Sequence, residues 1–285
     1  MYATLRFILN YHDHPAVSAS KLKKIACGTP LDYWAAYEDP DRTPIQPTDA
    51  MKQGSLVDCL ITEPHNFHRK YVIAPNVDRR TKDGKQEWSE AADLARVNCS
   101  TLIPFDWHHT ASMIVEKLKA DPVASEYLHG QGQNPHFWHD SDFGLDCRYL
   151  PDIEQPEEGM LIDLKKTRSA NPKHFERQAY SLGYDIQVAH YAEGFLSRHG
   201  KYPSGIVLFA YEWQWPYNWS INVVTENLLE EGRRRRDEAM ATINECLASN
   251  SWPSWGANEM NAPKWVKIED PANDTDVSDL ELEGI

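Results

Sequence analysis

The run "GMLIDLKKT" (159–167) constrains the fold more than any other stretch of the chain. Met160 to Leu164 are apolar but for one aspartate, as in a strand covered on both faces. Side chains alternate along a strand, so Leu161, Asp163 and Lys165 share one face, while Ile162 and Leu164 share the other and point to a core. A carboxylate and an ammonium on a covered strand are costly unless they pair or a metal ion intervenes. Asp152, in "LPD" eleven positions upstream, can complete a carboxylate pair from the neighbouring strand or its turn. Two carboxylates and a backbone carbonyl form an oxygen-only site, the preference of Mg²⁺ or Mn²⁺. The lysine would then orient or deprotonate an attacking water, or steady charge on a phosphate. The competing reading is a surface Asp–Lys pair on an edge strand, because Asp-x-Lys is a common tripeptide.

The flanking sequence sets an α/β or α+β plan. In "HPAVSASKLKKI", Ser18 or Ser20 caps a short helix, and "TPLDYWAAYED" opens a second at Pro30. "TDAMKQGSLVDCLITEP" places Met51, Leu56, Val57, Leu60 and Ile61 at helical spacing, with Thr48 or Asp49 as cap and Pro64 as stop. A basic loop (77–86) follows, then helices over 86–98, 105–120 and 122–129. "NPHFWHD", "GLDCRYL" and "GMLIDLKKT" read as a meander of strands. A long helical stretch runs from Pro172 to Arg198, then two strands joined by "QWPY", then a helix from Glu226 to Ala248.

At 285 residues the chain can bury a sizeable core, as one large domain or two. No apolar run approaches the ~20 residues of a membrane span, and the N-terminus lacks a signal-peptide pattern. Five scattered cysteines with no CxxC pair point to reduced thiols in a cytoplasm and away from an iron–sulfur cluster. The formal charge is −14, but "EDPANDTDVSDLELEGI" (269–285) holds seven acids and no Lys or Arg, which leaves −7 for the other 268 residues. A local basic groove is compatible with that balance. The acidic tail reads as a disordered, solubilising segment, or as one that docks on a basic partner or screens a DNA groove.

Downstream, "YDIQVAHYAEGF" puts Gln187 and Tyr191 four apart on one helix face. P-D, then D-x-K, then a helix with QxxxY resembles the PD-(D/E)xK nuclease superfamily, in its RecB-like exonuclease branch. More closely, the chain resembles the exodeoxyribonuclease VIII (RecE) nuclease domains and their phage relatives. The matching stretches run in order from about residue 11 to 255 and include "PLDYWAAYEDPDR", "MKQGSLVDCLITEP", "YVIAPNVDRRTKDGK", "LIDLKKTRSANPKHFER" and "ECLASNSWPSW".

The resemblance implies a restriction-endonuclease-like α/β core, a mixed central sheet flanked by helices. It implies one nuclease domain over 1–268, mainly helical to residue 130 and sheet-containing from 131 to 268. Asp152, Asp163 and the Leu164 carbonyl become metal ligands and Lys165 the catalytic lysine, with Gln187 and Tyr191 positioning DNA or the lysine. Mg²⁺, or Mn²⁺, is the implied cofactor. The implied activity is 5′→3′ hydrolysis from duplex DNA ends, leaving 3′ overhangs for a single-strand annealing partner, by a homo-oligomeric ring in the cytoplasm. Two positions depart from the family: Asp58 in "GSLVD" stands where a histidine is usual, and Gln133 or Asn134 where a glutamate is usual. These departures keep open a catalytically weakened DNA-binding or recombination-partner protein. An endonuclease of the same superfamily is also open.

Arg79, Arg80, Lys82 and Lys85 in "DRRTKDGK" are candidate DNA contacts within the family-like region. Arg233 to Arg236 could grip phosphates or cover a solvated helix. Trp213 and Trp215 could stack on unpaired bases or pack a hairpin. The histidines of "YHDH" and "WHH" lack zinc spacing and read as structural or exposed.

Overall fold

The computed structural model describes residue 11, residues 14–43 and residues 46–257. The chain groups into a unit ending at Ser254 and a short second unit, Trp255–Ile285. All elements below belong to the first, and the acidic stretch 269–285 lies outside the described residues.

The helices begin where local capping chemistry dictates. Helix α1 (Ala19–Ala26) starts after Ser18, whose backbone is extended as at a cap but whose side chain makes no cap bond. Thr29 and Asp32 form a reciprocal capping box on α2 (Pro30–Tyr37). Thr48 caps α3 (Asp49–Thr62), and a 3₁₀ turn (Pro64–Asn66) leads to the short α4 (Phe67–Lys70). Strand β1 (Tyr71–Ile73) pairs in parallel with β2 (Thr101–Ile103) across α5 (Lys82–Val97), a small sheet the sequence reading lacks. Helix α5 also starts four residues earlier than expected. Thr81 caps it through the Gly84 N–H, so Lys82 and Lys85 sit in its first turn instead of a loop. Helices α6 (Phe105–Ala120) and α7 (Pro122–Glu126) follow.

The central sheet has the order β3-β6-β7-β8-β9, with β3 (Gln131–Gly132), β6 (Ile153–Gln155), β7 (Met160–Thr167), β8 (Gly205–Glu212) and β9 (Trp219–Val223). Only β7 and β8 run parallel; the other neighbours are antiparallel, so the sheet is mixed. The expected meander divides in two: β4 (His136–Asp140) and β5 (Leu145–Tyr149) pair with each other as a separate ribbon, which β5 extends by a parallel bridge to Val17. The parallel step from β7 to β8 is bridged by α8 (Pro172–Ser181) and α9 (Tyr184–His199). These are two helices, not one long stretch, because Gly183 adopts φ 68°, a left-handed conformation that ends α8 and reorients the chain.

Both faces of β7 are covered. Ile162 and Leu164 join Val207, Phe209 and Tyr211 in a core shared with Leu56, Val57 and Ile61 of α3 and Ile114 and Leu118 of α6. Leu161, Ile206, Leu208 and Ala210 pack on the other face against Phe175 of α8 and Val188, Ala192 and Phe195 of α9. A third cluster joins Leu22 and Ile25 of α1, Tyr33 of α2 and Ile186 of α9 to Ala239, Met240 and Ile243 of α10 (Glu226–Ser249). Asp163 and Lys165 therefore do not sit on a solvent face; they point toward α9. Among the described residues no helix is long and apolar enough to cross a membrane.

Candidate active site

Strand β7 holds the centre of the site. Asp163 is buried, and its Oδ2 forms an ion pair with Lys165 two positions on. Its Oδ1 accepts a hydrogen bond from Gln187 Nε2 of α9 at 2.9 Å. Asp152 lies on the bend just before β6, and its Oδ2 accepts from the Leu164 N–H at 2.8 Å. The N–H and C=O of one extended residue point to the same strand edge. Pairing between β6 and β7 stops at Ile153↔Ile162, so the Leu164 carbonyl lies beyond that ladder on the edge where Asp152 sits.

Helix α3 brings a third carboxylate. Asp58 Oδ1 is buried and has no hydrogen-bond partner among the described residues. The close approach of α3 to the sheet depends on Gly132, where a Cβ would lie 2.7 Å from the Thr62 side chain. Gln133, next in sequence, has φ 51°, and Arg198 of α9 donates to the Asn134 carbonyl beside it at 2.9 Å. Asp58, Gln133, Asp152, Gln187 and Tyr191 all line one cavity of about 1100 Å³. Tyr191 donates its hydroxyl to the Leu150 carbonyl at 3.1 Å, which anchors α9 to the segment leading into Asp152.

The electrostatics follow from burial. Desolvation first, then the neighbouring Asp163, pushes the Asp152 carboxyl up to about 7. Burial and the Asp152 charge push Asp58 well above the usual carboxylate range. Burial opposes the Lys165 ammonium, but Asp163 and Asp152 outweigh it and hold its pKa above the ordinary lysine value. Asp58, Asp152 and Asp163 thus lie near the Lys165 ammonium, with the Lys23 ammonium one amide away on Gln187, and the burial of the acids favours protonation of one of them or entry of a further cation.

That arrangement fits a divalent metal ion in its donor chemistry: Asp152, Asp163 and the Leu164 carbonyl offer hard oxygens, and Asp58 Oδ1 is a buried acceptor with nothing to accept from. Among the described residues no three His, Cys, Asp or Glu side chains converge into a complete metal cage, so backbone and solvent oxygens would have to complete the shell.

The other candidates fall elsewhere. Arg79, Arg80, Lys82 and Lys85 are not among the described residues that line the cavity; Arg79 lies over the Trp88 ring at 4.1 Å and Arg80 faces Asp78 at 3.6 Å. The four arginines of α10 are all ion-paired: Arg233 with Glu226, Arg234 with Glu231 and Glu238, Arg235 with Asp185, and the buried Arg236 with Asp140 and Asp237. Trp213 packs against the core beside α3, while Trp215 is 76% exposed at the β8–β9 turn. Sequence reasoning missed Lys23 of α1, whose Nζ donates to Gln187 Oε1 at 3.0 Å across 164 residues of chain.

A carboxylate–carboxylate–lysine centre on a mixed sheet, with a glutamine supplied by the crossover helix, defines a PD-(D/E)xK nuclease-like fold. The chain belongs to the family described as a PDDEXK-like domain of unknown function (DUF3799), whose profile matches residues 18–261. It is similar in fold to a crystal structure of a "putative exonuclease" from Eubacterium rectale. The TM-score is 0.61 at 17% identity, over 87% of this chain and 90% of that one. No curated protein sequence matches the chain.

Proposed function

We propose that the protein is a divalent-metal-dependent deoxyribonuclease that degrades duplex DNA from its ends. The observation that carries this is the joining of Asp152, Asp163, Lys165 and Gln187 into one hydrogen-bonded, ion-paired group beside an open cavity. The family's PDDEXK-like description and the neighbour's name support the same class. Mg²⁺ or Mn²⁺, held by Asp152, Asp163 and the Leu164 carbonyl, would supply acidified water and neutralise phosphate charge. Asp58 adds a further oxygen where the family usually has an imidazole, which favours a hard cation over a soft one. Lys165, held protonated by Asp163, is suited to steady charge on a phosphate oxygen rather than to act as a base. Gln187 fixes the Asp163 carboxylate, and Tyr191 fixes the approach of α9.

Exonucleolytic 5′→3′ polarity, 3′ single-strand products, an annealing partner and a homo-oligomeric ring complete the proposal, by resemblance to the exodeoxyribonuclease VIII group. The test is linear duplex labelled at the 5′ or the 3′ end, with Mg²⁺ or Mn²⁺, comparing the wild type with Lys165→Ala. Metal-dependent early loss of the 5′ label, absent in the variant, is the expected result. A second reading, a DNA-binding protein that cleaves poorly, is motivated by Asp58 and Gln133 standing where the exodeoxyribonuclease VIII group usually has a histidine and a glutamate. Retained DNA binding with no release of either label under both metals would select it.

A further inference from the structure

Lys23 has no place in the roles assigned above, yet it touches the site's own hydrogen-bond chain. Its ammonium bonds Gln187 Oε1 at 3.0 Å, and the same amide's Nε2 bonds Asp163 Oδ1 at 2.9 Å. Lys23 and Lys165 lie over the same Tyr184 ring, at 5.4 and 4.7 Å from its centroid. The approach of α1 that brings Lys23 here requires a residue without a side chain at 183. A Cβ on Gly183 would lie 3.0 Å from Lys23 Cγ and 3.1 Å from Cys27 Sγ.

The chemistry of the three groups is directional. A primary amide is nearly symmetric in shape, and a half-turn about its last bond exchanges a donor for an acceptor. Toward Asp163 only the donor is tolerable, because Oε1 against a carboxylate oxygen would be repulsive in a buried place. Lys23, bearing three donors and no acceptor, can bond only Oε1. We propose that Lys23 is a positioning residue that locks the Gln187 amide with its donor on Asp163, so that Asp163 keeps the orientation the site needs. Lys23 touches neither Asp163 nor Lys165 by hydrogen bond; its effect passes through Gln187. The significance for turnover rests on the nuclease proposal, whereas the lock itself does not.

The lock is read first without catalysis. In ¹⁵N–¹H spectra of the metal-free protein, the Gln187 side-chain NH₂ pair is identified by its disappearance in Gln187→Ala. In the wild type its two protons should be resolved and protected from exchange with solvent. In Lys23→Met they should lose protection and move, and Lys23→Arg, still a donor without an acceptor, should restore both features. An unaltered Gln187 pair in Lys23→Met would overturn the proposal whether or not the protein cleaves DNA.

Turnover is measured next on the end-labelled duplex. Lys23→Met should lower kcat by ~10–100-fold, the usual cost of losing a residue that orients a ligand, with KM for DNA little changed. In the Gln187→Ala background the same substitution should have no further effect. A rise in KM that persists in the Gln187→Ala background would mean that Lys23 grips phosphate directly, and would overturn the positioning role. A wild type that cleaves nothing defeats the nuclease proposal, and the spectra then decide the lock alone.

Discussion

The acid pair Asp58–Asp152 decides how the site responds to pH. Burial raises both carboxyls, and Asp152 stands at about 7 because Asp163 adds to the desolvation. A carboxyl raised in the folded state binds more protons there than in the unfolded chain, so its contribution to stability falls as pH rises between ~4 and ~7. Without metal, thermal stability should decline across that window, and Asp152→Asn should flatten the decline. Cation binding requires the ionised acids, so Mn²⁺ affinity should climb as pH rises through ~7 and level off above it. Isothermal titration at a series of pH values reads both the affinity and the protons released. A pH-independent affinity would count against Asp152 as a ligand. At Lys165, replacement by alanine should cost ~10²–10³-fold in turnover, the range for losing one group that stabilises developing charge, measured by label release at saturating metal.

At the scale of elements, the site depends on how α9 is held. Asp185 in its first turn pairs with Arg235 of α10 at 2.8 Å, and α10 comes close because residue 232 is glycine. A Cβ there would run into the Asp185 carbonyl oxygen. Gly232→Ala should therefore destabilise the fold by ~1–3 kcal/mol, the range for overpacking, measured by chemical denaturation. It should also lower turnover, because Gln187 rides on the same helix. Little of this packing was legible in the sequence. Period-two alternation placed Asp163 and Lys165 on one face of β7, with Asp152 a candidate partner, because that signal is local; Gln187 was singled out only by the QxxxY resemblance. The β1–β2 pair was invisible: three-residue strands joined across a 16-residue helix carry no periodicity. Lys23 was equally hidden, since the buried apolar positions of α1 are Ala19, Leu22 and Ile25 and the partner amide lies 164 residues on. The arginine run of α10, which the sequence leaves open between a phosphate grip and a helix surface, is ion-paired with Asp140, Asp185 and acids of its own helix.

On the whole molecule, a chain of net charge −14 could hold DNA, as proposed, only through local fields. Lys21, Arg42, Lys70 and Arg148 line the cavity, but so do Glu38, Asp58, Glu63 and Asp152, and Lys70 is paired with Glu63, so a cation bound among the acids would tip that balance toward a phosphate. The basic stretch from Arg79 to Lys85 is separate from that lining, so it can add affinity only along DNA extending past the cavity. Replacing Arg79 and Arg80 by alanine should weaken duplex binding with little change in kcat. If both contact phosphate, the slope of log affinity against log salt should become shallower by about 1 per lost contact. Fluorescence anisotropy at several salt concentrations reads this, and an unchanged slope would remove the segment from the DNA path. Deleting 269–285 removes seven acids. If that tail screens a DNA groove, affinity should rise on deletion, most at low salt.

If Asp163 holds a metal ion as proposed, its ion pair with Lys165 would make the lysine a resident competitor for that site. An incoming cation must take Asp163 from an ammonium already seated on it, so loading is an exchange of one positive charge for another. On that proposal, the amine assigned to the chemistry should weaken binding of the ion assigned to it. Lys165→Met should cleave far less than the wild type and yet hold Mn²⁺ more tightly, its lost thermal stability returning when the ion is added.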